Sequence, residues 1–182
     1  MVRTRVGYAG GTTTAPTYRR IGDHTETFQV EYDPTQISYQ RLLEVFWENH
    51  NPTTRSWSNQ YKAAVFYHND EQKLLAIESK DREAFQRKAK IRSAILPFTG
   101  FTIAEDYHQK YYLRKERDLM REFEQIYPAD PDFVRSTAAA RVNGYLGGNG
   151  TVEEFNAQLG LLGLSAEGQH TLREIFDAKK DR

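Results

Sequence analysis

Apolar and polar residues alternate near the start of the chain, which is typical of β-strands. Residues 2–7 (VRTRVG) and residues 27–32 (TFQVEY) each place an apolar or hydroxyl side chain at every second position. Residues 62–68 (KAAVFYH) and 91–96 (IRSAIL) are apolar enough for two buried strands, and Pro97 ends the second. These strands predict one small mixed sheet.

Helical periodicity separates and follows the strands. Ser38 can cap a helix with one apolar face, and Asn69 or Asp70 can cap a second helix. Residues 104–127 then give a long helical pattern that is heavily charged, with enough aromatic and aliphatic side chains to pack on one side. The sheet is therefore expected to be flanked by helices.

The composition changes at residues 128–131 (PADP), beyond which the sequence predicts helices only. A short helix over 133–142 and a glycine-rich turn over 143–150 precede two more helical stretches. The predicted fold class is α+β: a small mixed sheet flanked by helices in a domain of residues 1–127, followed by a helical C-terminal extension of residues 128–182.

The balance of charge limits the classes of partner. The 182 residues carry 25 basic and 25 acidic side chains, so no excess of positive charge is available for nucleic acid or an anionic membrane. No apolar run approaches the roughly 18 residues of a membrane span, and the first residues lack the apolar stretch of a signal peptide. We expect no nucleic-acid partner, no membrane partner, and a location in the cytoplasm or an organelle matrix.

Several kinds of chemistry lack the residue types that they need. The chain contains no cysteine, so it has no disulfide, no thiolate nucleophile and no Cys-ligated zinc. Its five histidines form no HExxH pair, and the glycine turns at 10–11 and 147–148 lack the spacing of a nucleotide cradle. The sequence therefore predicts no metal site and no cofactor.

Six short stretches carry a family resemblance. They are VGYAGG (6–11), APTY (15–18), DHTE (23–26), FWENHNP (46–52), AEDYHQKYY (104–112) and NGYLGGNG (143–150). Their order and spacing resemble the A-type peptide methionine sulfoxide reductases. The resemblance implies an oxidoreductase of the peptide-methionine (S)-S-oxide type, which repairs methionine sulfoxide in proteins after oxidative stress.

The resemblance also assigns roles to three residues. In that family a cysteine thiolate attacks the sulfoxide sulfur, while two tyrosine hydroxyls and a glutamic acid donate to the departing oxygen. Tyr18 and Tyr61 match the tyrosines, and Glu26 matches the carboxyl group. We expect the three to converge on one point, with Glu26 kept neutral by burial. Without the resemblance, the same residues would be interpreted as locally hydrogen-bonded tyrosines and a solvated glutamate.

The chain departs from the family where the sulfur chemistry takes place. The family's nucleophilic Cys lies in a Gly-Cys-Phe-Trp-Gly motif before the VGYAGG strand, and we expect this chain to be N-terminally truncated and to lack it. Leu146 stands where the C-terminal turn of the family carries the resolving Cys. Ser56 and Trp57 occupy a shortened loop where the family has an Asp. The chain is therefore expected to be an inactive pseudoenzyme that retains an oxygen-binding remnant.

Two hypotheses for the function remain open. The first is a fragment or isoform of a longer, active enzyme, for which thioredoxin would be the electron donor. The second is a binding or regulatory module for methionine-like or peptide ligands, and Leu146 favours it as a separate loss of the thiol system. A Cys or selenocysteine before Phe-Trp in an upstream reading frame would decide for the enzyme.

The extension has a predicted structural role. A missing front segment would leave core surface uncovered, so we expect the chain either to be marginally stable and prone to self-association or to fold its last helices over the gap. Leu146 is separately expected to be at least partly buried against the core. The apolar residues expected to pack onto the sheet core are Phe155, Leu159, Leu161, Leu162, Leu164, Leu172 and Phe176.

Overall fold

A computed structural model of the chain describes residues 2–181, and two compact units are found in it. The helical unit comprises Met1–Arg5, Gln29–Glu31 and Glu105–Arg182, and the sheet unit comprises Val6–Phe28 and Tyr32–Ala104. The division after Ala104 lies upstream of the predicted boundary at 127/128.

Within residues 2–181 the strands form two small sheets rather than one mixed sheet. Strands β1, β2 and β5 form a three-stranded sheet in the order β2-β1-β5, in which β1 is antiparallel to β5. Strands β3 and β4 are parallel to each other. The bounds are β1 Arg3–Ala9, β2 Thr25–Glu31, β3 Ala64–Tyr67, β4 Ala94–Pro97 and β5 Phe101–Ile103. Four of these strands were predicted, whereas β5 is too short to show an alternating pattern.

Two helices accompany the parallel strands in the sheet unit. Helix α1 (Tyr39–Glu48) begins after Ser38, whose side chain accepts from the amide of Arg41, as predicted. Helix α2 (Asp70–Arg87) begins after Asn69, whose side chain accepts from the amide of Gln72. Because parallel strands need a long crossover connection, α2 supplies the link between β3 and β4.

The core of the sheet unit is centred on Trp47. Its buried members are Leu43, Trp47, Ala76 and Ile91, with Val65 of β3 and Ile95 of β4 among the half-buried side chains packed against them. The indole nitrogen of Trp47 donates to the hydroxyl of Ser79 at 3.0 Å, so the one polar atom of this ring is satisfied in the interior.

The long helical pattern predicted over 104–127 is interrupted twice in the helical unit. It consists of a 3-10 turn (Asp106–His108), helix α3 (Tyr111–Lys115) and helix α4 (Arg117–Ile126). Lys110 adopts a left-handed conformation (φ 53°) before α3, and Glu116 is extended between the helices. A pattern of side chains cannot reveal these changes, because they are local changes of the backbone.

The region after residue 128 begins with two helices where one was predicted. They are α5 (Asp130–Arg135) and α6 (Thr137–Leu146), separated at Ser136, whose side chain accepts from the amide of Ala139. The predicted turn over 143–150 therefore begins only at Gly147. Helix α7 (Val152–Gln158) starts with a capping box formed by Thr151 and Glu154, and α8 (Ala166–Lys180) ends the described chain.

The expectation that the last helices cover the sheet core is wrong. They pack against α3, α4, α5 and α6, and together these helices bury one core of their own. Leu161, one of the seven predicted contact residues, is 77 % exposed. The other six predicted residues lie in the buried helical core with Leu113, Leu119, Phe123, Phe133, Val134, Ala139, Val142, Tyr145 and Leu146. The burial of Leu146, which is 3 % exposed, is confirmed.

Candidate functional site

Two of the predicted site residues form a hydrogen-bonded pair in the sheet unit. The hydroxyl of Tyr61 is bonded to that of Tyr18, and both side chains are partly open to solvent. This bond is the largest cause that raises the pKa of Tyr61, followed by partial removal from water and by the charges of Tyr18 and Glu26. At neutral pH Tyr61 therefore keeps its proton and can act as a hydrogen-bond donor.

Glu26 lies close enough to add to the electrostatic environment of Tyr61, but it is not buried. Its Oε1 accepts a hydrogen bond from the side-chain amide of Gln60 at 2.7 Å, and its backbone amide donates to the carbonyl of Gln60 at 2.9 Å. The expectation of a buried Glu26 is therefore wrong, and in this structure its side chain accepts rather than donates. Convergence of all three groups on one point stays a prediction.

The loop that carries Tyr18 is anchored by Asp23. The carboxylate of Asp23 accepts from the backbone amides and the hydroxyls of both Thr12 and Thr13, at 2.7–3.0 Å. The bonds from Thr13 and then those from Thr12 hold the pKa of Asp23 well below its usual range. These hydrogen bonds join residues 10 or 11 positions apart, so no short sequence motif predicts them.

His24 fastens the same loop from its other side. Its Nδ1 lies 3.2 Å from the amide nitrogen of Gly11, and its Nε2 lies 2.8 Å from the carbonyl oxygen of Thr13. Since the amide must donate and the carbonyl must accept, Nδ1 accepts from Gly11 and Nε2 donates to Thr13. Both ring nitrogens are occupied, and the imidazole points to this loop rather than to Glu26.

A second loop, residues 56–61, carries Tyr61 and is held to the start of β2. The hydroxyl of Thr25 donates to the carbonyl of Asn59 at 2.9 Å, next to the two bonds between Glu26 and Gln60. The loop also presents Trp57, which is 83 % exposed and touches the ring of Tyr61. Trp57 was not among the predicted site residues, because exposure of a large aromatic cannot be seen in a sequence.

Other stretches that carried the resemblance are structural. In FWENHNP, Trp47 is buried and His50 accepts or donates at both nitrogens, 2.7 Å from the carbonyl of Phe46 and 2.8 Å from the hydroxyl of Ser93. Among residues 2–181 no cluster of three or more His, Cys, Asp or Glu side chains is arranged to hold a metal.

The two remaining stretches, AEDYHQKYY and NGYLGGNG, meet in the helical unit. The side-chain oxygen of Asn143 accepts from the amides of Tyr112 and Leu113 at 2.9 and 3.2 Å, and so satisfies the start of α3. A Cβ atom at Gly147 would lie 3.0 Å from the ring of Tyr112, so this ring would have to move by a few tenths of an ångström to admit a side chain there. Leu146, at the predicted resolving position, is the last residue of α6 and is buried in the helical core rather than exposed on a turn.

The family models that match this chain describe methionine sulfoxide reductases, a class of oxidoreductases. The model of the peptide methionine sulfoxide reductase family matches residues 1–142, and that of the selenoprotein methionine sulfoxide reductase A helical domain matches residues 129–177. The chain belongs to the peptide methionine sulfoxide reductase family.

Two relatives show how much of the family's length is represented. The chain is 40 % identical over 168 residues to the peptide methionine sulfoxide reductase of Drosophila melanogaster, which covers 91 % of this chain and 67 % of that protein. It is 38 % identical over 151 residues to peptide methionine sulfoxide reductase A5 of Oryza sativa subsp. japonica, covering 80 % of this chain and 59 % of that protein. The chain thus spans about three-fifths to two-thirds of these relatives.

Solved structures agree with the family assignment. Mxr1 from Saccharomyces cerevisiae in its reduced form matches with a TM-score of 0.57 and 30 % identity, covering 63 % of this chain and 71 % of that chain. Methionine sulfoxide reductase A of Corynebacterium diphtheriae matches with a TM-score of 0.53 and 33 % identity, covering 64 % of each chain. The mixed α+β fold predicted from the sequence is confirmed.

None of the helices within residues 2–181 combines the length and the apolar character that crossing a membrane requires.

Proposed function

We propose that the chain binds methionine sulfoxide in proteins, with the sulfoxide oxygen held by the hydroxyls of Tyr18 and Tyr61. The hydrogen-bonded pair of hydroxyls at a solvent-accessible position carries this proposal. A sulfoxide oxygen is a strong acceptor, so it can replace the bond between the two phenols and take a hydrogen bond from each. The raised pKa of Tyr61 keeps its proton in place for that purpose.

The two tyrosine hydroxyls would assist reduction because negative charge develops on the sulfoxide oxygen. When a thiol attacks the sulfoxide sulfur, the sulfur–oxygen bond breaks and the departing oxygen must gain protons. Two phenolic donors aimed at this oxygen stabilise the charge that builds up on it. In the overall reaction methionine sulfoxide and two thiols give methionine, a disulfide and water.

The thiol in this reaction has to come from outside the 182 residues, because they contain no cysteine. We propose that the chain alone binds the sulfoxide and does not reduce it, and that a nucleophile on a longer form of the chain, resolved by thioredoxin, would complete the enzyme. Mixed with dithiothreitol, the chain should form no methionine above the blank. An upstream reading frame with Cys or selenocysteine before Phe-Trp would support the longer enzyme, and another residue there would support a pseudoenzyme.

A second candidate is a binding or regulatory module, and one observation favours it. Leu146 fills the predicted resolving position with a buried aliphatic side chain that is part of the helical core. A residue buried at this position cannot present a thiol at the surface, so position 146 has a structural role in this chain. Binding of oxidised peptide without turnover in every longer form of the chain would support this candidate.

Binding to a peptide that contains methionine (S)-sulfoxide tests the proposal. Tyr61→Phe keeps the ring and removes the hydroxyl, and loss of one hydrogen bond of about 1 kcal/mol should weaken binding about fivefold. Tyr107→Phe is a matched control, because Tyr107 is an exposed tyrosine of the helical unit. The double variant Tyr18→Phe/Tyr61→Phe should lose more than either single variant. Equal affinities for the wild type and the double variant would refute the proposal.

A further inference from the structure

Trp57 is held in an exposed position beside the tyrosine pair. It is 83 % exposed, whereas tryptophan is on average a highly buried residue. The other tryptophan, Trp47, follows that rule and is 2 % exposed. Exposure of a whole indole is unfavourable in water, so the position of Trp57 needs an explanation.

A loose loop is not that explanation, because the loop around Trp57 is bonded on both sides. The hydroxyl of Ser56 donates to the carbonyl of Ser58 at 2.7 Å and also accepts from the amide of Ser58, which closes a tight turn with Trp57 at its tip. The next residues are fixed to β2 through the bond between Thr25 and Asn59. The chain therefore presents the indole outward from an anchored turn.

The indole also has a defined relation to the proposed oxygen site. The ring centroids of Trp57 and Tyr61 are 5.2 Å apart with an interplanar angle of 44°. The hydroxyl on the same Tyr61 ring is the one bonded to Tyr18. If that hydroxyl binds a sulfoxide oxygen, the residue next to methionine sulfoxide in the peptide would lie close to the indole of Trp57.

We infer that Trp57 is a substrate-binding residue that receives the side chain next to methionine sulfoxide in a peptide and favours an aromatic residue there. The inference rests on the proposed function, since it needs the sulfoxide at the tyrosine pair. An aromatic neighbour can stack on the exposed face of the indole and remove it from water. A peptide with glycine beside the sulfoxide gains nothing from Trp57, so the preference is a property of the flanking residue.

The experiment compares two peptides on the full chain, acetyl-Gly-Phe-Met(O)-Gly-amide and acetyl-Gly-Gly-Met(O)-Gly-amide, both as the (S)-sulfoxide. Wild type should bind the phenylalanine peptide several-fold tighter, about two- to tenfold, as expected for one aromatic pair. Trp57→Ala should abolish this preference, so that the phenylalanine peptide binds no tighter than the glycine peptide. Trp57→Phe should retain part of it.

Phe85→Ala is the matched control, because Phe85 is 84 % exposed on α2 of the same unit and is not part of the site. It should change the affinity for neither peptide. Tryptophan fluorescence gives a direct readout: the phenylalanine peptide should shift the emission of wild type to shorter wavelength, as an exposed indole becomes covered. The shift should be missing in Trp57→Phe, which keeps the buried Trp47.

The possible results separate the inference from the proposed function. A preference for the phenylalanine peptide that survives in Trp57→Ala overturns the inference, and so does equal loss of both peptides in a Trp57→Ala chain with an unchanged melting temperature. If Trp57→Ala unfolds, Trp57→Phe decides, because a preference in Trp57→Phe as large as that of the wild type also overturns the inference. Unchanged binding of both peptides by Tyr18→Phe/Tyr61→Phe refutes the proposed function instead, whatever Trp57 does.

Discussion

The ammonium group of Lys110 is buried in the helical unit and donates to both the carbonyl oxygen and the hydroxyl oxygen of Thr4, the latter at 3.0 Å. Removal from water is the main cause that lowers the pKa of Lys110 to about 8, and the guanidinium of Arg114 adds to it. These bonds use two of the three ammonium donors, and within residues 2–181 no carboxylate is paired with Lys110. Burial of this positive charge therefore lowers the stability of the fold at neutral pH.

Stability of the helical unit should therefore increase with pH in the alkaline range. An unfolded lysine keeps its proton up to about 10.5, whereas Lys110 in the folded chain releases it near 8. Between these values the unfolded state binds more protons, so the free energy of unfolding rises with pH, by at most about 3 kcal/mol. Below pH 8 both states are protonated and the full penalty is present.

Lys110→Met removes the ammonium and keeps an unbranched side chain, which makes it the reference for this effect. Urea unfolding of both chains at pH values below 8 and up to 10.5 measures the difference in stability. That difference should shift in favour of the wild type as the pH rises. Curves that stay parallel over this range would contradict a titrating Lys110.

The anchor at Asp23 should control the loop that carries Tyr18. Asp23→Asn leaves one acceptor oxygen where two now serve Thr12 and Thr13. We expect faster hydrogen exchange at the amides of Thr12 and Thr13 and weaker binding of a sulfoxide peptide. Because the pKa of Asp23 is lowered in the fold, its stabilising effect is present above the ordinary value of 3.8 and is lost as the pH falls through the lowered value.

Asp33→Asn provides the control for this loop. Asp33 also accepts from the amide and the hydroxyl of one threonine, Thr35, and its pKa is lowered mainly by these bonds. Its turn lies within three residues and carries none of the site residues. Asp33→Asn should leave peptide binding unchanged, and an equal loss in both variants would show that the effect is not specific to the loop of Tyr18.

Burial in the shared helical core should decide the effect of substitutions in the last helices. Phe176 is fully buried and stacks on Phe155 with ring centroids 4.2 Å apart. Phe176→Ala should lower the free energy of unfolding by about 3–5 kcal/mol. Leu161→Ala, at a 77 % exposed position of the same segment, should change it by less than about 0.5 kcal/mol. Similar losses in thermal or urea unfolding would contradict the assignment of the core.

A cysteine at position 146 should neither support reduction of methionine sulfoxide nor react with a thiol reagent in the folded chain. Leu146→Cys supplies a thiol at a buried site, and a resolving thiol acts only on an oxidised nucleophile, which the 182 residues do not contain. The variant should form no methionine from the sulfoxide with dithiothreitol, and a thiol reagent should modify it only after unfolding. Leu161→Cys is the exposed control and should react at once. Rapid reaction at position 146 would contradict burial.

Local signals predicted the parts of the fold that depend on neighbours in sequence. Ser38 and Asn69 were recognisable as helix caps because each bond spans only three residues. The break at Lys110 was not predictable, since a lysine with positive φ is uncommon and its buried contact with Thr4 joins positions far apart in the sequence.

The candidate site shows the same division. Tyr18 and Tyr61 were assigned through the family resemblance, and the structure brings them together. The open position of Glu26 and the outward position of Trp57 were missed, because burial is set by segments far apart in the sequence. The last helices were placed on the wrong core for a related reason. Their apolar faces were evident, but the charged sequences of α3 and α4 concealed the apolar surface that these two helices, with α5 and α6, provide.

The single core of helices α3 to α8 has a consequence for how this region can change or be exchanged. The helical-domain match begins at residue 129, yet Leu113, Leu119 and Phe123, which lie before it, are buried among the side chains of α6, α7 and α8. A chimera that transplants only residues 129–177 from a relative would therefore join two half-cores of different shape. A chimera should fold when the junction is moved back to Glu105, where the last segment of the helical unit begins. All the helices that share the core then come from the same relative.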